Sequence, residues 1–251
     1  MTKKAVLTTG LLTVLIAISA FLFYNVEADG KLDKKNYVQS TTPTLFFHGY
    51  GSSANAERHM TSAAKKAGVT KTVIRANVDR NGAVTLRGDI PKGAINPIVE
   101  VNYEDNRNPI DVGRYAKAVV SKLQEKYGFT KMNMVGHSLG NMSILYYLLE
   151  HAQDENLPQL QKQVNIANFV AGLEAMGLSS DVKVDKTTGK PNQVTQTFQR
   201  LLPLREVFPQ NQIDVLNIYG DYKNGSDGSV LNASSRSLKY LVADNAKSYQ
   251  E

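Results

Sequence analysis

The sequence predicts one α/β domain built on a mostly parallel sheet with helices on both faces, and three observations support this. After residue 43, short apolar runs typical of strands alternate with amphipathic helical segments. A strand-like run from Met132 to Val135 leads directly into a Gly-x-Ser-x-Gly turn and then into an apolar helix. The 251 residues, of which 42% are hydrophobic, are enough for a single sizeable core.

The N-terminal segment has the composition of a targeting sequence. Two lysines precede an apolar run from Ala5 to Tyr24, which suits either a secretory signal or a membrane anchor of about 20 residues. Cleavage after Ala28 and retention as an anchor both fit, so residues 1–28 are predicted to be a signal peptide or an anchor, with the rest of the chain exported. Residues 29–42 are polar and are predicted to be a linker to a domain that spans residues 43–251.

The first strand of the domain, Thr44 to Phe47, ends in the loop His48-Gly49-Tyr50-Gly51. Acyl transfer needs backbone N–H groups aimed at the developing oxyanion, and Tyr50 is the candidate donor in this loop. We interpret His48 as a residue that braces the loop rather than as a base.

The next elements follow recognisable boundary signals. Extended stretches from Lys71 to Val78 and from Ala83 to Leu86 are joined by an Asn-Gly pair, which predicts a hairpin. A strand from Pro97 to Tyr103 then leads to a helix with Asn108 as its cap and Pro109 in its first turn. Apolar residues recur along this helix at the i, i+3, i+4 and i+7 spacing of a buried face.

The stretch Gly136-His137-Ser138-Leu139-Gly140 has the pattern of a nucleophile elbow. Such a turn holds the serine hydroxyl at the C-terminal edge of the sheet, and Gly136 and Gly140 allow strand and helix to approach closely. Ser138 is therefore the candidate nucleophile. The N–H of Leu139 is the second candidate oxyanion donor. His137 is expected to point away from the serine.

The later part of the chain is predicted to supply a cap and a carboxylate. A strand from Val164 to Ala171 precedes residues 172–208, which interrupt the alternation and are predicted to form a cap-like insertion over the site, the alternative being an ordinary surface excursion. In the loop after the next strand, Asp227 is the first choice of acid to orient an imidazole, and Asp221 is the runner-up. The alternative for both is an ordinary turn aspartate.

Three segments, H-G-Y-G-S, G-H-S-L-G-N and S-D-G-S-V-L-N-A-S-S, occur in this order along the chain. They resemble the α/β-hydrolase superfamily, and more narrowly a family of exported or cell-surface hydrolases of Gram-positive bacteria that was once described as of unknown function. The resemblance covers most of the chain after residue 43. It implies an α/β-hydrolase fold and an esterase-like or lipase-like serine hydrolase. Its site would have Ser138 as nucleophile, Asp227 as acid, and Tyr50 and Leu139 as oxyanion donors.

The sequence departs from this family pattern at the base, because the superfamily carries its catalytic histidine after the last strand. The four histidines all precede Asp227, namely His48, His59, His137 and His151. After Asp227 only a helix from 232 to 242 and a polar tail are predicted, so we expect an incomplete C-terminal edge without the final strand, the histidine loop and the closing helix. Two hypotheses follow: an exported serine ester hydrolase whose sequence lacks its last segment, and a catalytically inactive truncated relative or binding module.

Composition narrows the possible partners. The absence of cysteine excludes disulfides, a thiol nucleophile and cysteine-ligated metals. The net charge is +6, but the lysines and arginines are scattered along the sequence and form no basic patch, so nucleic-acid binding is not predicted. No metal site and no organic cofactor are predicted. The expected partners are a small-molecule or lipid ester and, if the N-terminal segment is retained, a membrane. A peptidase or acyltransferase would use the same residues, and the sequence fixes neither the native substrate, the acyl-chain length nor the oligomeric state.

Overall fold

In the computed structural model, the described residues are 31–222 and 224–251, except for the side chains of Pro109 and Ile110. The predicted signal peptide or anchor, residues 1–28, lies outside them. Within the described ranges no helix has the length and apolar composition needed to cross a membrane.

An eight-stranded sheet forms the centre of the domain. Its strands are Thr44–Phe47 (β1), Val73–Val78 (β2), Val84–Arg87 (β3), Ile98–Tyr103 (β4), Lys131–His137 (β5), Gln159–Ile166 (β6), Asp214–Ile218 (β7) and Ser248–Gln250 (β8). The strand order is β3-β2-β4-β1-β5-β6-β7-β8. Every neighbouring pair is parallel except β2 and β3, which form the predicted hairpin. The α/β class and the mostly parallel sheet are thereby confirmed.

Helices pack against this sheet. They are Arg58–Lys66 (α1), Pro109–Tyr127 (α2), Gly140–His151 (α3), Gln196–Leu201 (α4), Leu204–Val207 (α5), Asn232–Arg236 (α6) and Leu238–Val242 (α7), with a short 3-10 turn at Glu174–Met176. The apolar face predicted for α2 is buried, from Val112 to Leu123. Helices α2 and α3 approach so closely that a Cβ atom at Gly113 would lie 2.6 Å from the Cβ of Tyr146.

The polar C-terminal tail contains a strand that the sequence did not predict. Ser248–Gln250 pairs in parallel with β7, so the expectation that the final strand is missing is wrong. The pairing uses backbone N–H and C=O groups, which leave no hydropathy pattern in a stretch of three residues. Tyr249 strengthens the attachment, because its hydroxyl accepts a hydrogen bond from Asn217 Nδ2 at 3.2 Å.

The strand predicted from Val164 to Ala171 is displaced toward the N-terminus. It begins at Gln159 and ends at Ile166. The hydropathy pattern placed this strand too late, because residues 159–163 are mostly polar whereas apolar residues predominate from Val164 to Ala171. Gln163 and Asn165 are buried in this strand, and Gln163 Nε2 donates to Asn165 Oδ1 at 2.8 Å.

The segments predicted as linker and as cap both contact the domain. In the linker, the N–H of Asp33 donates to the carbonyl of Gly68 at 2.9 Å, and the carbonyl of Ser40 accepts from the N–H of Asn96 at 2.6 Å. Within residues 172–208, Phe198 and the leucines of α4 and α5 are buried in the core. Helices α4 and α5 pack against α3, and α5 also packs against α7. The cover that this segment would give the site stays a prediction.

Candidate active site

Ser138 occupies the turn between β5 and α3. Its φ of 51° lies in the left-handed region, which a residue other than glycine rarely adopts. The turn is held by its own N–H, which donates to the carbonyl of Ile166 at 2.9 Å. Ser138 Oγ has no hydrogen-bond partner in the part of the chain that the structure describes. The strained turn therefore presents an unengaged hydroxyl.

The two glycines of the elbow are required by close backbone contacts. A Cβ atom at Gly136 would lie 2.8 Å from the backbone N of Asn141. One at Gly140 would lie 2.1 Å from the carbonyl oxygen of Phe47. Both distances are far below van der Waals contact, so strand, turn and helix pack together only without side chains at these positions.

His48 braces the loop that follows β1. The N–H of Tyr103 donates to His48 Nε2 at 3.1 Å. Because Nε2 accepts a hydrogen bond, we assign the ring proton to Nδ1, which donates to the carbonyl of Gly49 at 3.0 Å. Burial lowers the pKa of His48 below its ordinary value, in keeping with a neutral ring.

The loop after β1 lies against the nucleophile. A Cβ atom at Gly49 would lie 3.3 Å from the Cβ of Ser138. The N–H groups of Tyr50 and Leu139 donate to no other group in the described ranges. In the described ranges, two unpaired N–H groups therefore lie on the elbow and on the loop packed against it, as expected of oxyanion donors. The ring of Tyr50 is 63% exposed, so only its backbone belongs to the loop's packed part.

Two buried asparagines hold this arrangement, and the sequence analysis singled out neither. Asn106 Nδ2 donates to the carbonyl of Gly49 at 2.6 Å. Asn141 Nδ2 donates to the carbonyl of Ser138 at 2.8 Å. Asn141 follows the elbow directly, so its position was a usable signal. Asn106 gave none, because it bonds to residues more than 50 positions away.

His137 faces a buried carboxylate rather than the serine hydroxyl. Its Nδ1 lies 3.6 Å from Glu57 Oε1, and the side chain of Glu57 is only 2% exposed. Glu57 raises the pKa of His137 above its ordinary value, and the charge of Asp227 adds to this. Sequence reasoning missed Glu57, whose position before α1 resembles an ordinary helix start.

The two candidate acids differ in their surroundings. Asp227 packs against Gly220, just after the end of β7. A Cβ atom built on Gly220 would lie 3.3 Å from the Cβ of Asp227. Its Oδ1 accepts hydrogen bonds from the N–H groups of Ser229 and Val230 at 2.8 and 2.7 Å. Asp221 is exposed, and among the described residues its Oδ1 accepts a long hydrogen bond of 3.3 Å from the N–H of Gly225. Asp227 is thus the carboxylate whose charge acts on the elbow.

No histidine of the described ranges has a ring nitrogen within hydrogen-bond distance of Ser138 Oγ. His59 is exposed on α1, and His151 stacks near Tyr147 at the far end of α3. In the same ranges no group of three histidine or carboxylate side chains is placed to hold a metal. The described part of the chain therefore contains candidates for a nucleophile, two oxyanion donors and an acid, but none of its histidines is hydrogen-bonded to Ser138 Oγ.

Comparisons with known proteins show the family of this chain and agree with its fold. A family model described as "Alpha/beta hydrolase of unknown function (DUF915)" matches residues 31–251. Among solved structures, a gene product from Listeria innocua is 27% identical with a TM-score of 0.76, over 84% of each chain. A protein from Lactobacillus plantarum that is proposed to be a cell surface hydrolase is 20% identical with a TM-score of 0.68, over 83% of this chain and 80% of its own. A search of curated proteins found no significant match.

Proposed function

Because the chain belongs to this family of α/β hydrolases, we propose that it is a serine ester hydrolase that works through an acyl-enzyme on Ser138. The observation that carries the proposal is the strained, unengaged serine beside two unpaired N–H groups, those of Tyr50 and Leu139. A serine held for structural reasons would have its hydroxyl bonded, and a structural loop would have its N–H groups paired.

The reaction follows from these groups. Ser138 Oγ attacks the ester carbonyl carbon, a C–O bond forms, and the carbonyl π electrons move to the oxygen, whose negative charge the N–H groups of Tyr50 and Leu139 stabilise. During the attack a base accepts the proton of Ser138. When the intermediate collapses and the bond to the alcohol breaks, the same base gives this proton to the departing alcohol oxygen. Water then attacks the acyl group on Ser138 in the same way and releases the acid.

The proton of Ser138 needs a base, because loss of the histidine from such a site costs roughly 10⁶ in turnover. We propose that an imidazole placed between Ser138 and Asp227 takes this proton, and none of the four histidines of the sequence is hydrogen-bonded there. Asp227 would orient it and stabilise its charged form. Imidazole supplied in solution should then replace it in part.

We propose an ester of a small molecule or a lipid as substrate, and action outside the cell. The apolar run of residues 5–24 after two lysines supports export, and the name of the Lactobacillus plantarum relative is in keeping with it. If the N-terminal segment is retained, it would hold the enzyme at the membrane.

Imidazole-dependent ester hydrolysis tests the proposal. The full chain, kept in mild detergent, and the Ser138→Ala variant would be given short-chain chromogenic esters over a range of imidazole concentrations. We expect saturable turnover that rises with imidazole in the wild-type chain alone. The variant is the matched control, because imidazole hydrolyses activated esters by itself and this background must be subtracted.

A folded wild-type chain with no turnover beyond the Ser138→Ala background at any imidazole concentration would overturn the proposal. That result would favour the competing hypothesis of an inactive relative or binding module, which rests on the absence of an imidazole beside Ser138 in the described part of the chain. Labelling of Ser138 by a fluorophosphonate, read by mass spectrometry, gives an independent measure of its nucleophilicity.

A further inference from the structure

The two candidate oxyanion donors belong to peptide units whose carbonyls are held by buried asparagines. A peptide unit is planar, and its N–H points opposite to its C=O. The N–H of Tyr50 therefore shares a rigid plane with the carbonyl of Gly49. The N–H of Leu139 shares one with the carbonyl of Ser138. Whatever fixes either carbonyl also fixes the direction of the paired N–H.

Asn106 fixes the first of these peptide units. Its side chain is only 2% exposed. Nδ2 donates to the carbonyl of Gly49 at 2.6 Å, and Oδ1 accepts from the N–H of Gly51 at 2.8 Å. The amide thus grips the chain on both sides of Tyr50 and leaves the N–H of Tyr50 itself unpaired. The proton of His48 Nδ1 adds a further bond to the same Gly49 carbonyl.

Asn141 fixes the second peptide unit from a fully buried position. Nδ2 donates to the carbonyl of Ser138 at 2.8 Å and to that of Ile166 at 2.9 Å. Its orientation is set in turn by Asn165, whose Nδ2 donates to Asn141 Oδ1 at 3.0 Å. Gln163 completes this row of buried amides by donating to Asn165. Each amide has one assignment of donor and acceptor that satisfies its neighbours.

We infer that Asn106 and Asn141 are positioning residues for the oxyanion hole, an inference that rests on the proposed function. Each holds one peptide plane so that its N–H points at the reacting carbonyl before substrate arrives, and such pre-aimed donors need no reorganisation during the reaction. A hydrogen bond to the carbonyl also polarises the peptide and strengthens its N–H as a donor, by about 10–30% per bond. Asn106 and Asn141 therefore affect both the direction of these N–H groups and their strength as hydrogen-bond donors.

Asparagine-to-alanine variants test this inference. Asn106→Ala and Asn141→Ala would be compared with Asn102→Ala, the matched control, because Asn102 Oδ1 holds the same loop by accepting from the N–H of Ala54 at 3.0 Å, away from both donors. In imidazole-supported turnover we expect kcat to fall about 10- to 100-fold in the first two variants with KM little changed. The control should stay within about 2-fold of the wild-type chain.

A thionoester substrate separates positioning from general damage to the fold. Sulfur accepts hydrogen bonds weakly, so the ester-to-thionoester ratio of turnover reports how well the two N–H groups serve the oxyanion. We expect this ratio to fall in Asn106→Ala and Asn141→Ala and to hold in Asn102→Ala. Asn106→Asp keeps the acceptor for Gly51 but replaces the donor to Gly49 by an oxygen and adds a negative charge, so its ratio should fall at least as far as that of Asn106→Ala.

A measurement without catalysis keeps the inference testable if the wild-type chain does not turn over. With selective ¹⁵N labelling, Asn106→Ala should shift the amide resonance of Tyr50 and leave that of Leu139 in place. Asn141→Ala should do the reverse. If the wild-type chain is inactive but these shifts are seen, the lack of turnover would defeat the proposed function, while the shifts would still support the positioning role of the two asparagines. Unchanged amide resonances, or an ester-to-thionoester ratio equal to that of Asn102→Ala, would overturn the inference.

Discussion

The two sides of the candidate site are built in opposite ways. The oxyanion half, residues 48–53 and 136–141, is held by buried groups such as His48, Asn106 and Asn141. The acid loop, residues 220–231 except for the undescribed residue 223, is largely exposed and folds mainly on itself. There Asp227 bonds to its own turn, and Ser226 Oγ donates to the carbonyl of Val230 at 3.1 Å.

The difference reflects how the two kinds of interaction depend on geometry. A hydrogen bond weakens steeply when the donor is misaligned, so oxyanion donors must be aimed in advance. The Coulomb effect of a carboxylate changes slowly with distance. A site can therefore tolerate a loosely held acid, whereas its oxyanion hole has to be rigid. Four predictions test this difference between the rigid oxyanion half and the loosely held acid loop.

The first prediction compares the free energies of unfolding of two glycine-to-alanine variants, one in the oxyanion half and one in the acid loop. In Gly140→Ala the new Cβ would lie 2.1 Å from the carbonyl oxygen of Phe47, and we expect a loss of about 3 kcal/mol or more in the free energy of unfolding. In Gly228→Ala nothing lies within 4 Å, so only the positive φ of 98° opposes the side chain. That cost should be about 1 kcal/mol. Urea denaturation of both variants measures the gap, and equal losses would refute the contrast.

The second prediction concerns the charge of the acid loop. Asp227→Asn keeps an oxygen for the N–H groups of Ser229 and Val230, so the free energy of unfolding should change by less than about 1 kcal/mol. Imidazole-supported turnover should nevertheless fall by about 10²-fold or more, because an amide stabilises an imidazolium poorly. Asp221→Asn serves as the control and should leave turnover unchanged. The opposite ranking of the two variants would move the role of acid to Asp221.

The third prediction sharpens the boundary of the exposed region. Asn217 on β7 is buried, and its Nδ2 donates to the carbonyl of Ser235 at 3.0 Å. Its Oδ1 accepts from Asn168 Nδ2. Asn217→Ala removes both hydrogen bonds from a buried cluster in which the 3.2 Å bond from Asn168 Nδ2 to the carbonyl of Ser235 would remain, and it should cost about 2 kcal/mol in thermal or urea unfolding. A negligible loss would show that the strand beneath the acid loop is as weakly held as the loop itself.

The fourth prediction has the smallest expected magnitude and concerns His137, which belongs to the oxyanion half and is affected by the charge of Asp227 in the acid loop. Glu57 raises the pKa of His137 in the folded chain, so the protonated ring stabilises the fold at pH values below its unfolded pKa. This contribution is lost as pH rises through the raised folded pKa. The ring is 42% exposed, so the contribution should be less than about 1 kcal/mol after solvent screening.

The measurement is the difference in the free energy of unfolding between the wild-type chain and His137→Gln. It should be largest in mildly acidic buffer and shrink as the pH is raised above about 6.5, the ordinary value for histidine. A difference that grows toward alkaline pH would reverse the sign assigned to the pair formed with Glu57.

Most of the oxyanion half could be predicted from the sequence, because its signals are local. Two flanking glycines indicate the turn at Ser138, and a strand followed by two glycines indicates the loop at Tyr50. The clashes that a Cβ atom would cause at Gly136 and Gly140 show why those residue types were informative. In the acid loop the sequence favoured Asp227 over Asp221, and the structure adds that Asp227 packs against Gly220.

Periodicity and turn chemistry within short stretches were enough to predict the α/β class, the hairpin and the buried face of α2, and three short motifs carried the family resemblance. The edge strand β8, the true bounds of β6, and the contacts of Asn106, Asn141 and Glu57 came from the tertiary structure. The physical reason is that strand pairing and the hydrogen bonding of buried polar groups join residues far apart in the chain. Such partners leave no periodic trace in the sequence around either one.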